Sequence, residues 1–213
     1  GVCHQILSGG HKSTVATLAF SPCGTYLASS GKDRRLCIWK KQGDPDDQFE
    51  LVWAKDSAHK RIIWSVHFCP WNPLYFVSAS RDGCVRIWHI TEDASDGNTN
   101  AQELQAFAPA FTVNEKPDSV TALSIRPFPL SDGRGLLALG LESGRLELWS
   151  IPILKGATAA VPSLMCCVPT ELCLRATVTK LAWRPHRSDD EPCELLASSS
   201  MDHGVRILNI RTS

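Results

Sequence analysis

The sequence predicts an all-β fold built from a series of antiparallel four-stranded sheets, and two observations predict it. One pattern recurs four times along the 213 residues: an apolar strand, a polar turn, then a second strand ending in Trp or a substitute. The units run Leu27-Ala28-Ser29-Ser30-Gly31-Lys32-Asp33 to Trp39, Phe76-Val77-Ser78-Ala79-Ser80-Arg81-Asp82 to Trp88, Leu137-Ala138-Leu139-Gly140-Leu141-Glu142-Ser143 to Trp149, and Leu196-Ala197-Ser198-Ser199-Ser200-Met201-Asp202 to Leu208. In each unit the turn position stands six residues before the Trp position.

Units of this kind cannot bury their apolar faces alone, and radial stacking turns them into the blades of a β-propeller. Each repeat resolves into strands. The first carries Val15-Ala16-Thr17-Leu18-Ala19-Phe20, the turn Ser21-Pro22-Cys23-Gly24, strands near 25–30 and 35–40, and a fourth strand through Phe49. The second runs from Ile62 to Phe68, turns at Cys69-Pro70, and continues near 75–80, 84–89 and 103–108. The third begins at Ser119-Val120-Thr121, turns at Arg126-Pro127, and reaches its last strand around 163–168. The fourth begins at Thr177-Val178-Thr179, turns at Arg184-Pro185, and ends soon after its third strand. Proline suits these turns because it fixes φ and cannot donate to a ladder. The stretches 91–100, 151–162 and 186–192 read as loop insertions, the first of them mobile; none looks like an interdomain linker.

The blades therefore fall near 11–54, 59–108, 119–168 and 177–213 within one region, 1–213. Residues 1–8 read as the outer strand of a neighbouring or closing blade. Four blades of this size would have to curve tightly to close alone, so the expectation is an open arc of a larger propeller. The chain begins without Met, as one starting inside a longer protein would.

Composition narrows the function classes. Basic and acidic residues balance at 22 each, so net charge implies no general attraction to nucleic acid or membrane. No run of about 18 apolar residues exists to span a bilayer. The N-terminal residues lack the regions of a signal peptide. Nine cysteines form no paired framework, and no C-x-x-C or zinc-spaced His pair accompanies them. They read as reduced, buried thiols of a cytosolic or nuclear protein.

In a blade of this type, His, Ser, Asp and Trp can form one hydrogen-bonded chain. The carboxylate accepts turn N–H groups and the His ring N–H, while the indole N–H donates to the Ser hydroxyl. The first repeat supplies His11, Ser29, Asp33 and Trp39; the second supplies His59, Ser78, Asp82 and Trp88. The third keeps only Trp149, with Lys116, Leu139 and Ser143 at the other positions. The fourth keeps Ser198 and Asp202, with Leu174 and Leu208 for His and Trp. Losses should occur together, since an orphaned buried polar group is costly. A Ser-His-Asp set repeated in successive blades is a framework; a catalytic triad occurs once, beside an oxyanion site. No G-x-S-x-G elbow, phosphate loop or H-E-x-x-H is present. The expectation is a protein with no catalytic residues, no cofactor and no metal.

The repeats resemble the WD40 family over about residues 9–210. A narrower resemblance lies in Ala58-His59-Lys60-Arg61-Ile62-Ile63-Trp64, in Ala138-Leu139-Gly140-Leu141-Glu142-Ser143-Gly144-Arg145, and in Gly10-His11-Lys12-Ser13-Thr14-Val15 with Ala19-Phe20-Ser21-Pro22. In this order the strings resemble the C-terminal repeats of the Elongator complex protein 2 family. That resemblance implies a non-catalytic double-propeller scaffold that holds the largest and catalytic Elongator subunits and so supports modification of the tRNA wobble uridine. The alternative is a freestanding WD40 adaptor that reads a histone tail or a degron. The insertions 91–118 and 151–170 match no motif.

Lys60, Arg61 and Trp64 are the contact candidates, because they enter a blade through a loop, and Arg and Trp are enriched at interface hot spots. The opposing reading is a core Trp64 and two solvated charges. Arg34 and Arg35 belong to a basic run, Lys32 to Lys41, that could meet tRNA, but strand alternation should split it between faces.

Overall fold

A computed structural model describes residues 3–43, 48–92, 98–153, 161–185 and 194–211. Four sheets follow one another, each with its strands in chain order and antiparallel. The first blade holds β1 (Val15–Phe20), β2 (Tyr26–Gly31), β3 (Leu36–Lys41) and β4 (Phe49–Lys55); the second holds β5 (Ile63–Cys69), β6 (Asn72–Ser80), β7 (Val85–Glu92) and β8 (Thr99–Phe107). A two-stranded ribbon, β9 (Thr112–Val113) and β10 (Lys116–Pro117), lies between the second and third blades in the chain. The third blade holds β11 (Val120–Ile125), β12 (Gly135–Leu141), β13 (Leu146–Ile151) and β14 (Ser163–Cys167); the fourth holds β15 (Val178–Trp183), β16 (Glu194–Ser200) and β17 (Val205–Ile210). β8 begins earlier than the sequence suggested, which extends the outer edge of the second blade. Most of the three insertion loops falls outside the described residues.

The repeat is faithful at the level of register. Val15 pairs with Gly31, Ile63 with Ser80, Val120 with Leu141 and Val178 with Ser200, and each first strand carries a bulge directly after that pair. A second bulge falls at Trp39, Trp88 and Trp149, where the third strand meets the fourth. Bulges re-aim side chains, so these belong to the design of the blade. The turn between second and third strands needs a left-handed residue in all four blades: Arg34 at φ 62°, Gly83 at 69°, Gly144 at 87° and His203 at 65°. Gly83 cannot be replaced cheaply, because a Cβ there would stand 2.8 Å from Pro117.

First strands pack in series, β1 to β5 to β11 to β15. Apolar side chains fill each junction. Leu36 and Ile38 meet Ile63, Val66 and Phe68; Val85 and Ile87 meet Val120, Leu123 and Ile125; Leu146 and Leu148 meet Val178 and Leu181. The same positions at the two ends of the series face solvent. Val15, Leu18 and Phe20 are 43%, 62% and 57% exposed, and Val205 and Ile207 are 72% and 68% exposed. The four blades thus form an open arc whose ends display the two halves of one blade-to-blade junction.

Residues 3–8, read from the sequence as an outer strand of a neighbouring or closing blade, pair with no strand among the described residues. The Gln5 amide instead bonds both the N–H and the C=O of Phe49, each at 2.8 Å, and Leu7 packs beside Leu27, Cys37 and Trp39. One side chain imitates a strand neighbour for β4. Among the described residues β17 pairs only with β16, so the fourth blade has three strands.

Candidate partner-binding groove

The polar chains of the first two blades form as the spacing implies. His11 Nδ1 lies 2.9 Å from Asp33, and its Nε2 lies 2.8 Å from Ser29 Oγ, which also accepts from Trp39 Nε1 at 2.8 Å. His59 Nδ1 lies 3.2 Å from Asp82, its Nε2 lies 2.8 Å from Ser78 Oγ, and Trp88 Nε1 donates to that hydroxyl at 2.9 Å. A carboxylate only accepts, so each His carries its proton on Nδ1 and takes the Ser proton on Nε2. Asp33 also accepts the amides of Lys12 and Arg35; Asp82 accepts those of Lys60 and Cys84. Burial alone would raise both carboxyls, but the amide and His hydrogen bonds outweigh it and hold Asp33 and Asp82 below the usual carboxylate range. His59, Asp82 and Cys84 gather within 4.8 Å, yet both His59 nitrogens and both Asp82 oxygens are already bonded.

The other two blades depart from the motif in ways its positions do not disclose. In the third, Leu139 cannot accept the indole proton, and Glu147 takes over. Its carboxylate accepts from Trp149 Nε1 at 2.8 Å and from the amides of Ala110 and Phe111 at 3.1 and 2.8 Å. The turn carboxylate has also changed sides: Asp118, on the entering loop, accepts the Ser143 amide at 3.1 Å. In the fourth, Asp202 still accepts the amides of Arg175 and Gly204. Ser198, however, is buried with its hydroxyl unbonded, which corrects the expectation that the polar groups are lost together.

Loops entering the blades and turns between their middle strands share one face, and there the contact candidates assemble. Lys60 and Arg61 line a cavity of about 630 Å³ with Arg81, Asp82, Lys116, Pro117, Ser119 and Glu142. Trp64, half-buried, lines a second cavity of about 450 Å³ with Arg81, Thr121, Glu142, Thr177, Val178, Thr179 and Met201. Arg81 and Glu142 border both, so the two form one groove across the second, third and fourth blades. Their own ion pair is loose, at 3.6 Å with both side chains well exposed. Among the described residues Lys60, Arg61 and Lys116 make no ion pair.

The basic run of the first blade does not gather. Arg35 turns to Asp56 at 3.4 Å, Lys40 is held by Glu92 at 2.8 Å, and Arg34 is exposed at the left-handed turn position. Arg81 and Lys116, which complete the basic end of the groove, were missed in the sequence because they lie in separate repeats. Their positions in aligned loops were the available signal.

Comparison with known proteins places this architecture. The model of the WD domain, G-beta repeat, matches residues 1–40 and 53–89. The chain belongs to the WD40-repeat family. Beyond the repeat, the chain is 35% identical to Elongator complex protein 2 of Danio rerio over 95% of its length, 31% to that of Arabidopsis thaliana over 94%, and 32% to that of Homo sapiens over 92%. It spans about a quarter of those relatives, 26%, 23% and 25% of their lengths. A solved structure titled Crystal Structure of Mitotic Checkpoint Complex contains a chain with TM-score 0.66 at 19% identity, covering 95% of this WD40 chain and 52% of that one, a likeness of fold alone. No helix among the described residues is long and apolar enough to cross a membrane.

Proposed function

We propose that this WD40 chain is a non-catalytic scaffold segment of an Elongator-type complex, holding the largest and catalytic subunits together while a partner modifies the tRNA wobble uridine. The likeness to Elongator complex protein 2 over nearly the whole chain supports it. The observation that carries the mechanism is the groove, where Lys60, Arg61 and Trp64 converge from one entering loop and strand with two charges uncommitted. Charged and aromatic groups so placed give orientation and anchoring in an interface. Co-purification with the largest and catalytic subunits is expected for the native chain and lost in a Lys60→Ala, Arg61→Ala, Trp64→Ala variant that keeps its melting temperature. Native protein that captures neither subunit yet holds a histone-tail or degron peptide returns the freestanding adaptor. Direct tRNA contact has less support, because Arg35 is paired and leaves Arg34, Lys60 and Arg61 to meet phosphates.

The scaffold also has to be more than this arc. The apolar positions exposed on β1 and β17 are the ones buried at all three internal junctions. Large bare apolar faces aggregate, and propellers of this kind hold about four to eight blades, so we read both ends as covered by further blades or a neighbouring chain. In the full-length protein, hydrogen exchange at the amides of β1 should be as slow as at those of β11. Exchange there as fast as in surface loops would refute the larger ring.

A further inference from the structure

We propose that the groove receives an acidic protein segment carrying one apolar anchor, a reading that deepens the scaffold role and rests on it. Charge decides the first half. Lys60, Arg61, Arg81 and Lys116 border the wider cavity with Asp82 and Glu142, so four cations stand against two carboxylates, and the Asp82 oxygens are turned to His59 and two amides. Glu142 is the one remaining acid of that wall, and it holds Arg81 loosely. The cations converge from three separate connections, so they face a common occupant.

The other end is apolar in effect, although threonines line it. Thr121 Oγ1 is bonded to the carbonyls of Val178 and Gly140, Thr177 Oγ1 to that of Glu142, and Thr179 Oγ1 to Ser199. With these hydroxyls engaged, the wall offers methyl groups, the Trp64 ring and Met201, which is 65% exposed. Methionine adapts its shape to an apolar guest, and a half-buried Trp supplies a rigid side. A single strand of RNA fits poorly: successive bases need successive stacking platforms, and the groove has one aromatic ring. An acidic segment places carboxylates against the four cations and one apolar side chain against Trp64 and Met201.

The test uses fluorescence anisotropy on the full-length protein with a labelled peptide of glutamates around a Leu-Phe pair, its Ala-Ala counterpart, and oligouridylate. The Leu-Phe peptide is expected to bind, and a Lys60→Glu, Lys116→Glu double variant to weaken it at least about tenfold. Met201→Asp is expected to remove the advantage over the Ala-Ala peptide. Equal binding to the charge-reversed protein, equal binding of the two peptides, or displacement by oligouridylate at the same concentration overturns the proposal. Arg61→Glu serves as the second variant if the double one melts early. Loss of subunit co-purification in the double variant, with no peptide binding by the native protein, leaves the scaffold reading standing and removes this one.

Discussion

Replacing Trp88 with alanine should cost roughly 3–5 kcal/mol, the largest single-residue loss among the blade residues. The ring is fully buried, and it joins two blades rather than one. It stacks on Phe76 at 6.0 Å within its own sheet and meets Trp53 of β4 edge-on at 5.9 Å. Lys55 of the same strand lies 5.5 Å over its face. Truncation therefore opens a cavity at the junction of the first two blades and also leaves Ser78 without its donor. Neighbouring β-sheets cannot collapse into such a space without breaking the registers that the bulges set. A loss of this size lowers the melting temperature by about 2–4 °C per kcal/mol in a domain of this length. A melt within 2 °C of the native protein would show that the ring is not a joint.

What was legible in the sequence depended on how far each interaction reaches along the chain. His59, Ser78, Asp82 and Trp88 recur at the spacing of His11, Ser29, Asp33 and Trp39, and that spacing alone assigns their bonds. Strand positions followed from the same repetition. Glu147 was not legible as an acceptor because it occupies a strand position filled by Cys37 and Arg86 in its sister blades. A clue was present: with Leu139 in place of the Ser acceptor, the Trp149 indole needed another partner, and Glu147 stands two residues away. Asp118 escaped notice because it caps the turn from the opposite loop. The unbonded Ser198 shows the limit of reasoning by mutual satisfaction, since the fourth blade keeps this buried hydroxyl despite a cost of about 1–3 kcal/mol. Residues 3–8 read as a strand by position, and within this chain the Gln5 amide meets Phe49 of β4. The groove was half legible. Its Lys60, Arg61 and Trp64 share one string, whereas Arg81, Lys116 and Met201 meet them only through the stacking of blades.

Asp82→Ala should destabilise the fold by about 1–3 kcal/mol for each buried donor it strands, with no change in any chemistry. Two such donors stand behind the carboxylate: His59 Nδ1 and the Cys84 amide. The Lys60 amide is nearer solvent and can turn to water at lower cost. His59 is itself wedged between Asp82 and Ser78, so losing the carboxylate also frees the ring tautomer that Ser78 and Trp88 depend on. Acidity supplies an independent check. The folded protein holds the Asp82 carboxyl below its ordinary value, near 3.9 in an unfolded chain, so its contribution is complete above that value and fades as pH falls through the folded one. The gap in stability between native protein and variant should therefore be widest near neutrality and narrow below about pH 4. Ser143→Ala is the control at the matching turn position. There only the backbone N–H is engaged, by Asp118, so the change should be near neutral. Thermal melts that find Ser143→Ala as damaging as Asp82→Ala, or an Asp82→Ala gap that stays constant into acid, would refute the role given to the blade carboxylate.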